Sequence, residues 1–290
     1  MFGVALALLS ALSFGLSQIL VRRNLDKSNF VYVSLTVTIM GNIILWPLAL
    51  TFVDLGTISP ESLLLFVFAG LLAPGIGRLL YFRGMETTGI SANASIFATY
   101  PLYTSIIAVL FLGEALTFEN WTGLACIIAG VIFIGRKMNN GETTPKGTTK
   151  RFLIFPILGS LAIASSQIVR KEALNIYNQP LLGVAVGYTA TLIVYLLVMP
   201  FSKDTRTSRF SRKDLQMFWK PGVGIALGWL LSFLALSQEM VSIVVPILQT
   251  ELIFILFFTY IFLRKLEKLS FKLIISALLI VTGVVLISIN

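Results

Sequence analysis

The stretch from Ala73 to Glu114, APGIGRLLYFRGMETTGISANASIFATYPLYTSIIAVLFLGE, sets an arginine, two prolines and two polar-aromatic faces inside apolar sequence. In its first half Pro74, Arg78, Tyr81 and Met85 recur at i, i+4, i+7 and i+11; in its second half Asn93, Phe97, Tyr100 and Thr104 do the same. Each set shares one helix face. A charged or hydrogen-bonding stripe among Leu, Ile and Phe must face protein or water, because an unsatisfied polar group in hydrocarbon costs several kcal/mol. The two faces are therefore read as walls of a central cavity. Pro74, Gly75 and Gly77 predict a weakened or bent backbone at depth.

Outside this stretch the chain is as apolar as within it. Of 290 residues, 57% are hydrophobic and 12% charged, with a mean hydropathy of +0.91. A spanning helix needs about 20 apolar residues. Runs of that length predict ten spans, near residues 3–21, 30–53, 62–83, 89–112, 117–135, 152–169, 181–200, 220–238, 241–263 and 270–289. The predicted class is an all-α membrane protein with no room for a soluble domain. The first run lacks a basic segment before it and a small-residue cleavage site, so it is read as a retained helix. A single cysteine, Cys126, and no histidine argue against a disulfide framework and a Cys/His metal site. No metal or cofactor is expected, and Cys126 reads as a structural thiol. With no Ser-His dyad, HExxH or GxxxxGK[ST] pattern, neither an enzyme nor an ATP-driven pump is expected.

A net charge of +9 on its own suits a nucleic-acid partner, but its placement points to a bilayer. The odd-numbered connections hold Arg22, Arg23, Lys27, Arg83, Arg136, Lys137, Lys203, Arg206, Arg212, Lys213, Lys220, Arg264 and Lys265, among others, whereas the even ones hold only Arg170 and Lys171. By the positive-inside rule the odd connections are cytoplasmic and both termini face outward. The expected partners are membrane lipid and a small-molecule substrate, with no role for nucleic acid.

The chain also repeats itself. SLAIASSQIVRKEAL at 160–174 matches ALSFGLSQILVRRNL at 11–25, and WLLSFLALSQEMVS at 229–242 overlays RLLYFRGMETTGIS at 78–91. Residues 1–135 and 152–290 thus read as two five-span units joined by a cytoplasmic linker, 136–151, rich in Gly, Thr and Asn. Duplicating a unit with an odd number of spans inverts the second copy, a layout that places a site at the repeat interface.

Glu251 falls mid-depth in the ninth span, where a carboxylate costs about 2.5 to 3.5 kcal/mol and must be paired, protonated or wet. It is read as a partner for an amine, cation or proton, or else as a structural salt bridge. Arg78 is read as an anchor for a carboxylate or phosphate, unless it snorkels to the cytoplasmic edge. Facing one cavity, the two would hold the ends of a zwitterion or each other. Tyr81, Tyr100, Tyr103 and Trp229 form a candidate aromatic lining, with Asn93 beside them. Gln18 and Gln167, equivalent in the repeat, are candidate gates or interhelical glue; Pro101 and Pro246 are candidate hinges or static kinks. Gly123, Ala125, Ala129 and Gly130 mark the fifth span for close packing, and the fifth and tenth spans form a candidate homodimer face.

The repeat, the run YPLYTSIIAVLFLGEALTFENWTGLACIIAGVIFIG and the GVVLIS tail together resemble the drug/metabolite transporter superfamily, specifically its EamA branch, over essentially the whole chain. The resemblance implies ten helices, a cavity formed by helices one to four and six to nine, peripheral helices five and ten, and alternating-access export of metabolites, commonly amino acids. Arg264-Lys265-Leu266-Glu267 stands where the pattern is closer to Leu-Gly-Glu, and Phe254 stands opposite Pro101. Gln18 replaces the membrane-embedded glutamate of small multidrug-resistance relatives, and many members are described with cytoplasmic termini. The function read from the sequence is a secondary carrier of a small polar or amphipathic, amino-acid-like metabolite. Its rivals are a carrier of lipid-like or quaternary-amine compounds, and a channel or receptor-type membrane protein without turnover.

Overall fold

The computed structural model describes the chain apart from residues 1, 25–27, 29, 55–57, 89–92, 94–95, 139–152, 199–209, 263–270 and 289–290, and apart from the side chains of 22, 30, 82, 85, 86, 88, 134–138, 259, 262 and 271–274. Most of the linker read at 136–151, the side chain of Met85 and the whole of Glu267 therefore lie outside the described residues. Among the described residues the chain is helical and carries no strand. In order come α1 (Phe2–Arg22), α2 (Phe30–Phe52), α3 (Pro60–Gly70), α4 (Gly77–Thr88), α5 (Tyr100–Ile107), α6 (Phe118–Met138), α7 (Ile154–Ile176), α8 (Pro180–Val198), α9 (Arg212–Gln238), α10 (Val241–Leu248), α11 (Glu251–Phe262) and α12 (Phe271–Ser288). Six stretches are long and apolar enough to cross a membrane: Phe2–Val21, Val31–Phe52, Pro60–Tyr81, Pro180–Val198, Arg212–Gln238 and Val241–Phe258. Shorter apolar helices run over Tyr100–Leu112, Phe118–Phe133 and Ile275–Ser288.

Local chemistry explains several ends. Pro60 opens α3, where its missing N–H costs nothing, and the Ser59 side chain accepts from the Ser62 N–H at 3.4 Å. Ser211 opens α9, with its N–H and hydroxyl both donating to Asp214 Oδ2 at 2.8 Å. Ser28 donates to the other Asp214 oxygen at 2.6 Å, which ties the first connection to α9. Two sequence boundaries are corrected. The sixth span continues to Ile176, placing Arg170 and Lys171 on α7 rather than in a connection; the eighth begins at Arg212, so Arg212, Lys213 and Lys220 lie on α9 with exposed side chains.

Wrapped around the interior, α1 packs along α9, and α7 packs along α3 and α4; α2 lies against α8 and α9, α3 against α8, and α5 against α7. Helices α10 and α11 both pack on α1. Polar side chains stitch α2 to α8: Trp46 Nε1 donates to the Thr189 hydroxyl at 2.7 Å, which donates to Asn42 Oδ1 at 2.7 Å. Phe66, Phe218, Leu45 and Leu236 are fully buried, whereas Phe52, Leu64, Phe111 and Leu278 are exposed, as side chains facing lipid would be.

Helices α6 and α12 pack mainly on each other. Gly123 and Gly283 meet backbone to backbone, and a Cβ on Gly123 would lie 2.7 Å from the Gly283 carbonyl oxygen. The small face read at Gly123 and Gly130 is thus used within the chain, while Ala125 points outward and takes no part in it. Replacing Gly123 by alanine is expected to cost about 1 to 3 kcal/mol through overpacking. Thermal unfolding in detergent checks this, with Ala125→Ile expected to leave the midpoint unchanged.

Candidate functional site

The third span is broken where its Pro-Gly cluster predicts. Between α3 and α4, residues Leu71–Ile76 form a widened turn in which Ala73 is extended, with φ −153 and ψ 135. Such a break frees carbonyls that have no water to turn to in a bilayer. Side chains from α7 and α8 meet them. Ser166 donates to the carbonyls of Ala69 at 2.8 Å and Ala73 at 3.3 Å, Thr191 to Gly70 at 3.1 Å, and Tyr195 to Pro74 at 3.1 Å. Arg170 adds a bond to the Ala73 carbonyl. Gly70 permits the close approach behind this network, since a Cβ there would fall 2.5 Å from the Gly187 carbonyl.

Two further breaks face each other. The fourth span turns at Ala98–Thr99 before Pro101 in the first turn of α5, and the ninth turns at Gln249–Thr250, three residues after Pro246. Gln249 Nε2 donates to the Ala98 carbonyl at 3.3 Å, so the breaks are joined. Pro101 and Pro246 are both buried beside these breaks.

Charge gathers at the breaks. Arg78, early in α4, hydrogen-bonds to the Tyr195 hydroxyl and acts electrostatically on Glu251, the first residue of α11. Gln18, from α1, hydrogen-bonds to Glu251. Tyr81 and Tyr100 both feel the Glu251 charge, and Phe97 links their rings, with centroids 4.6 Å from Tyr81 and 6.3 Å from Tyr100. The two polar-aromatic faces read from Ala73 to Glu114 therefore do meet. Glu251 is partly buried and its partners come from α1, α4 and α5, so it looks into the bundle.

A second centre surrounds Arg170, which is 2% exposed. One of its terminal nitrogens donates to Gln167 Oε1 at 3.1 Å, and its guanidinium lies 4.3 Å over the Trp229 ring and 5.2 Å over Phe233. Tyr100 is within electrostatic range of both Glu251 and Arg170, and Tyr188 of both Arg78 and Arg170. One polar interior therefore contains both centres.

Of the residues singled out in the sequence, Gln18, Arg78, Tyr81, Tyr100 and Glu251 come together at the first centre, and Gln167 and Trp229 at the second. Asn93 lies apart, buried against Gly84, its side-chain amide without a hydrogen-bond partner among the described residues. Tyr103 is half-buried and joins neither set of contacts. Sequence reading missed Arg170, Tyr188, Thr191 and Tyr195. Arg170 carried a signal, because Ser166, Gln167 and Arg170 fall on one helix face, but ending the span at residue 169 concealed it.

Among the described residues no group of three or more acidic, cysteine or histidine side chains could hold a metal ion. Apolar helices broken around a charged interior define a multi-pass membrane protein of the transporter class. The chain belongs to the EamA-like transporter family, whose model matches residues 1–136 and 150–289. An uncharacterized transporter of Bacillus subtilis (strain 168), YwfM, is 25% identical over 147 residues, which is 48% of this chain and 48% of its own length. An uncharacterized transporter in the cobO 3′ region of Sinorhizobium sp is 35% identical over 75 residues, 26% of this chain and 53% of its own. The chain thus spans about half the length of the curated relatives it matches. One crystal structure superposes with a TM-score of 0.81 at 12% identity, covering 99% of this chain and 96% of the other, a likeness of fold alone.

Proposed function

We propose that the protein is a secondary carrier working by alternating access, and that it moves a small polar or amphipathic, amino-acid-like metabolite. One observation carries this reading: Glu251, at a helix break, draws Arg78, Gln18, Tyr81 and Tyr100 around it from three other helices. Half-helix ends and unwound backbone at depth are what transporter sites are made of. Arg78 and Glu251 anchor opposite charges, and the tyrosines and Trp229 wall the apolar part. Gln18 and Gln167, each bonded to a charged side chain, release or hold it as the gates, while Pro101 and Pro246 keep the fourth and ninth spans jointed.

Two inverted five-span halves are part of the same reading. Under the overlay of the two halves Gly77 corresponds to Gly228, Ile163 to Phe14 and Gly159 to Ser10. A Cβ on Gly77 would meet Ile163 and Gly159, and one on Gly228 would meet Phe14, while Ser10 donates to the Gly228 carbonyl at 2.7 Å. Ala73 likewise corresponds to Gly224 and Ser166 to Ser17: Ser166 donates to the Ala73 carbonyl, and a Cβ on Gly224 would meet the Ser17 hydroxyl. Such matched pairings are expected of two halves related by a pseudo-twofold axis.

Cytoplasmic odd connections and outward termini complete the reading. Of the two basic residues read there, Arg170 lies in the interior, and Lys171, near the end of α7, donates its ammonium to the carbonyls of Leu236 at 2.7 Å and Glu239 at 3.0 Å. A homodimer would use the outer faces of α6 and α12. Counterflow in proteoliposomes tests the carrier reading: unlabelled amino acids inside are expected to speed entry of the labelled compound severalfold, whereas a pore shows no trans-stimulation.

A further inference from the structure

A guanidinium stays charged throughout the physiological pH range, and removing it from water costs several kcal/mol unless hydrogen bonds and a counter-charge offset the loss. Arg170 has only part of that compensation. Among the described residues the groups that hold it are the Ala73 carbonyl, the Gln167 amide oxygen and two aromatic faces, and its buried Nε–H has no hydrogen-bond partner there. Among the described residues none of the groups acting on Arg170 is a carboxylate, and Glu251 is engaged by Arg78 and Gln18. Across the two centres, two guanidinium groups therefore stand against one carboxylate. Capping the broken third span does not require this charge, because neutral hydroxyls of Ser166, Thr191 and Tyr195 cap the carbonyls beside it.

We propose that Arg170 is the seat of a carboxylate on the transported substrate, with the Trp229 ring as the floor of that seat. This rests on the carrier reading and reassigns its parts. Arg78 already has Tyr195 and Glu251, so the unmatched cation is Arg170, and its Nε–H is, with the Tyr188 hydroxyl, one of the buried groups without a hydrogen-bond partner among the described residues. Tyr100, in range of Glu251 and Arg170 alike, lies between the two ends of the substrate. A compound with a carboxylate and an amine on a short apolar body fits, its carboxylate on Arg170 and its amine toward Glu251.

The test uses the purified full chain and matched pairs of small compounds at constant ionic strength: 4-methylpentanoate against 4-methylpentanamide, and phenylacetate against phenylacetamide. Binding is read as a saturable change in tryptophan fluorescence, with Trp229→Phe confirming the reporter. Each carboxylate is expected to respond and its amide not. Arg170→Lys keeps the charge but loses the planar fork, and is expected to weaken the response about tenfold; Arg170→Gln is expected to abolish it. Should Arg170→Gln fail to fold, Arg170→Lys decides. Equal responses from acid and amide, no response from either, or a carboxylate response untouched in Arg170→Lys would overturn the proposal. Counterflow that persists without carboxylate-specific binding removes the Arg170 seat alone; carboxylate binding without counterflow removes the carrier reading alone.

Discussion

Glu251→Gln is expected to reduce counterflow to background and, alone, to destabilise the fold more than it does in the presence of Arg78→Gln. The side chain keeps its shape and its contact with Gln18, but the interior is left with Arg78 and Arg170 and loses its carboxylate. Breaking one side of a buried charge pair strands the other. Adding Arg78→Gln removes one stranded cation, so the two substitutions together cost less than their sum. The coupling is expected at about 1 to 3 kcal/mol, below that of a fully enclosed pair because Glu251 is only partly buried. Unfolding midpoints of the four proteins in detergent give the value. Strict additivity would mean that Arg78 and Glu251 do not share a site, whereas counterflow must fail in all three variants for both to be anchors.

A large effect on folding is also expected at Glu114. Gly113 takes the left-handed conformation, with φ +67, which lets the chain leave the helical stretch Tyr100–Leu112 sharply and bring the next side chain to the start of α10. There the Glu114 carboxylate accepts from the N–H groups of Val241 at 2.7 Å and Ser242 at 3.0 Å, and from the Ser242 hydroxyl. It caps α10, all of whose residues are buried, and whose first N–H groups have no intrahelical partner. Charge-assisted bonds of this kind contribute about 1.5 to 3 kcal/mol each. Glu114→Ala is expected to cost about 3 to 5 kcal/mol in all, seen as a collapse of the detergent unfolding midpoint and of the folded yield. Glu114→Gln should recover part of the loss, since one amide oxygen still accepts. A midpoint for Glu114→Ala equal to that of the unaltered protein would show that the cap carries no weight.

Much of this was legible in the residues. The clusters at Pro74, Pro101 and Pro246 marked the jointed spans, because proline lacks the N–H that a helix interior needs. The faces shared by Arg78 with Tyr81 and by Phe97 with Tyr100 follow from helical spacing, and in the structure the rings of Tyr81, Phe97 and Tyr100 form a chain. Other readings depended on where a helix ends. Arg170 looked like a connection residue because charge was taken to mark the span's edge, yet α7 runs on to Ile176 and carries it inside. Thr191 and Tyr195 sit in an apolar helix with nothing in their spacing to set them apart; their task appears only when a broken neighbour presents its carbonyls.

Sequence alone determined that this chain lives in a bilayer, where its helices give way and which side chains are too polar to face lipid, since each of these is a property of one segment and its solvent. Tertiary structure alone decided the pairings: Gln18 with Glu251, Gln167 and Trp229 with Arg170, Glu114 with the start of α10. Those are contacts between helices, and the periodicity of one helix carries no information about which neighbour will meet it. The balance of charge inside the bundle, two cations and one carboxylate across its two centres, is likewise a sum over helices from both halves, visible only once they are packed together.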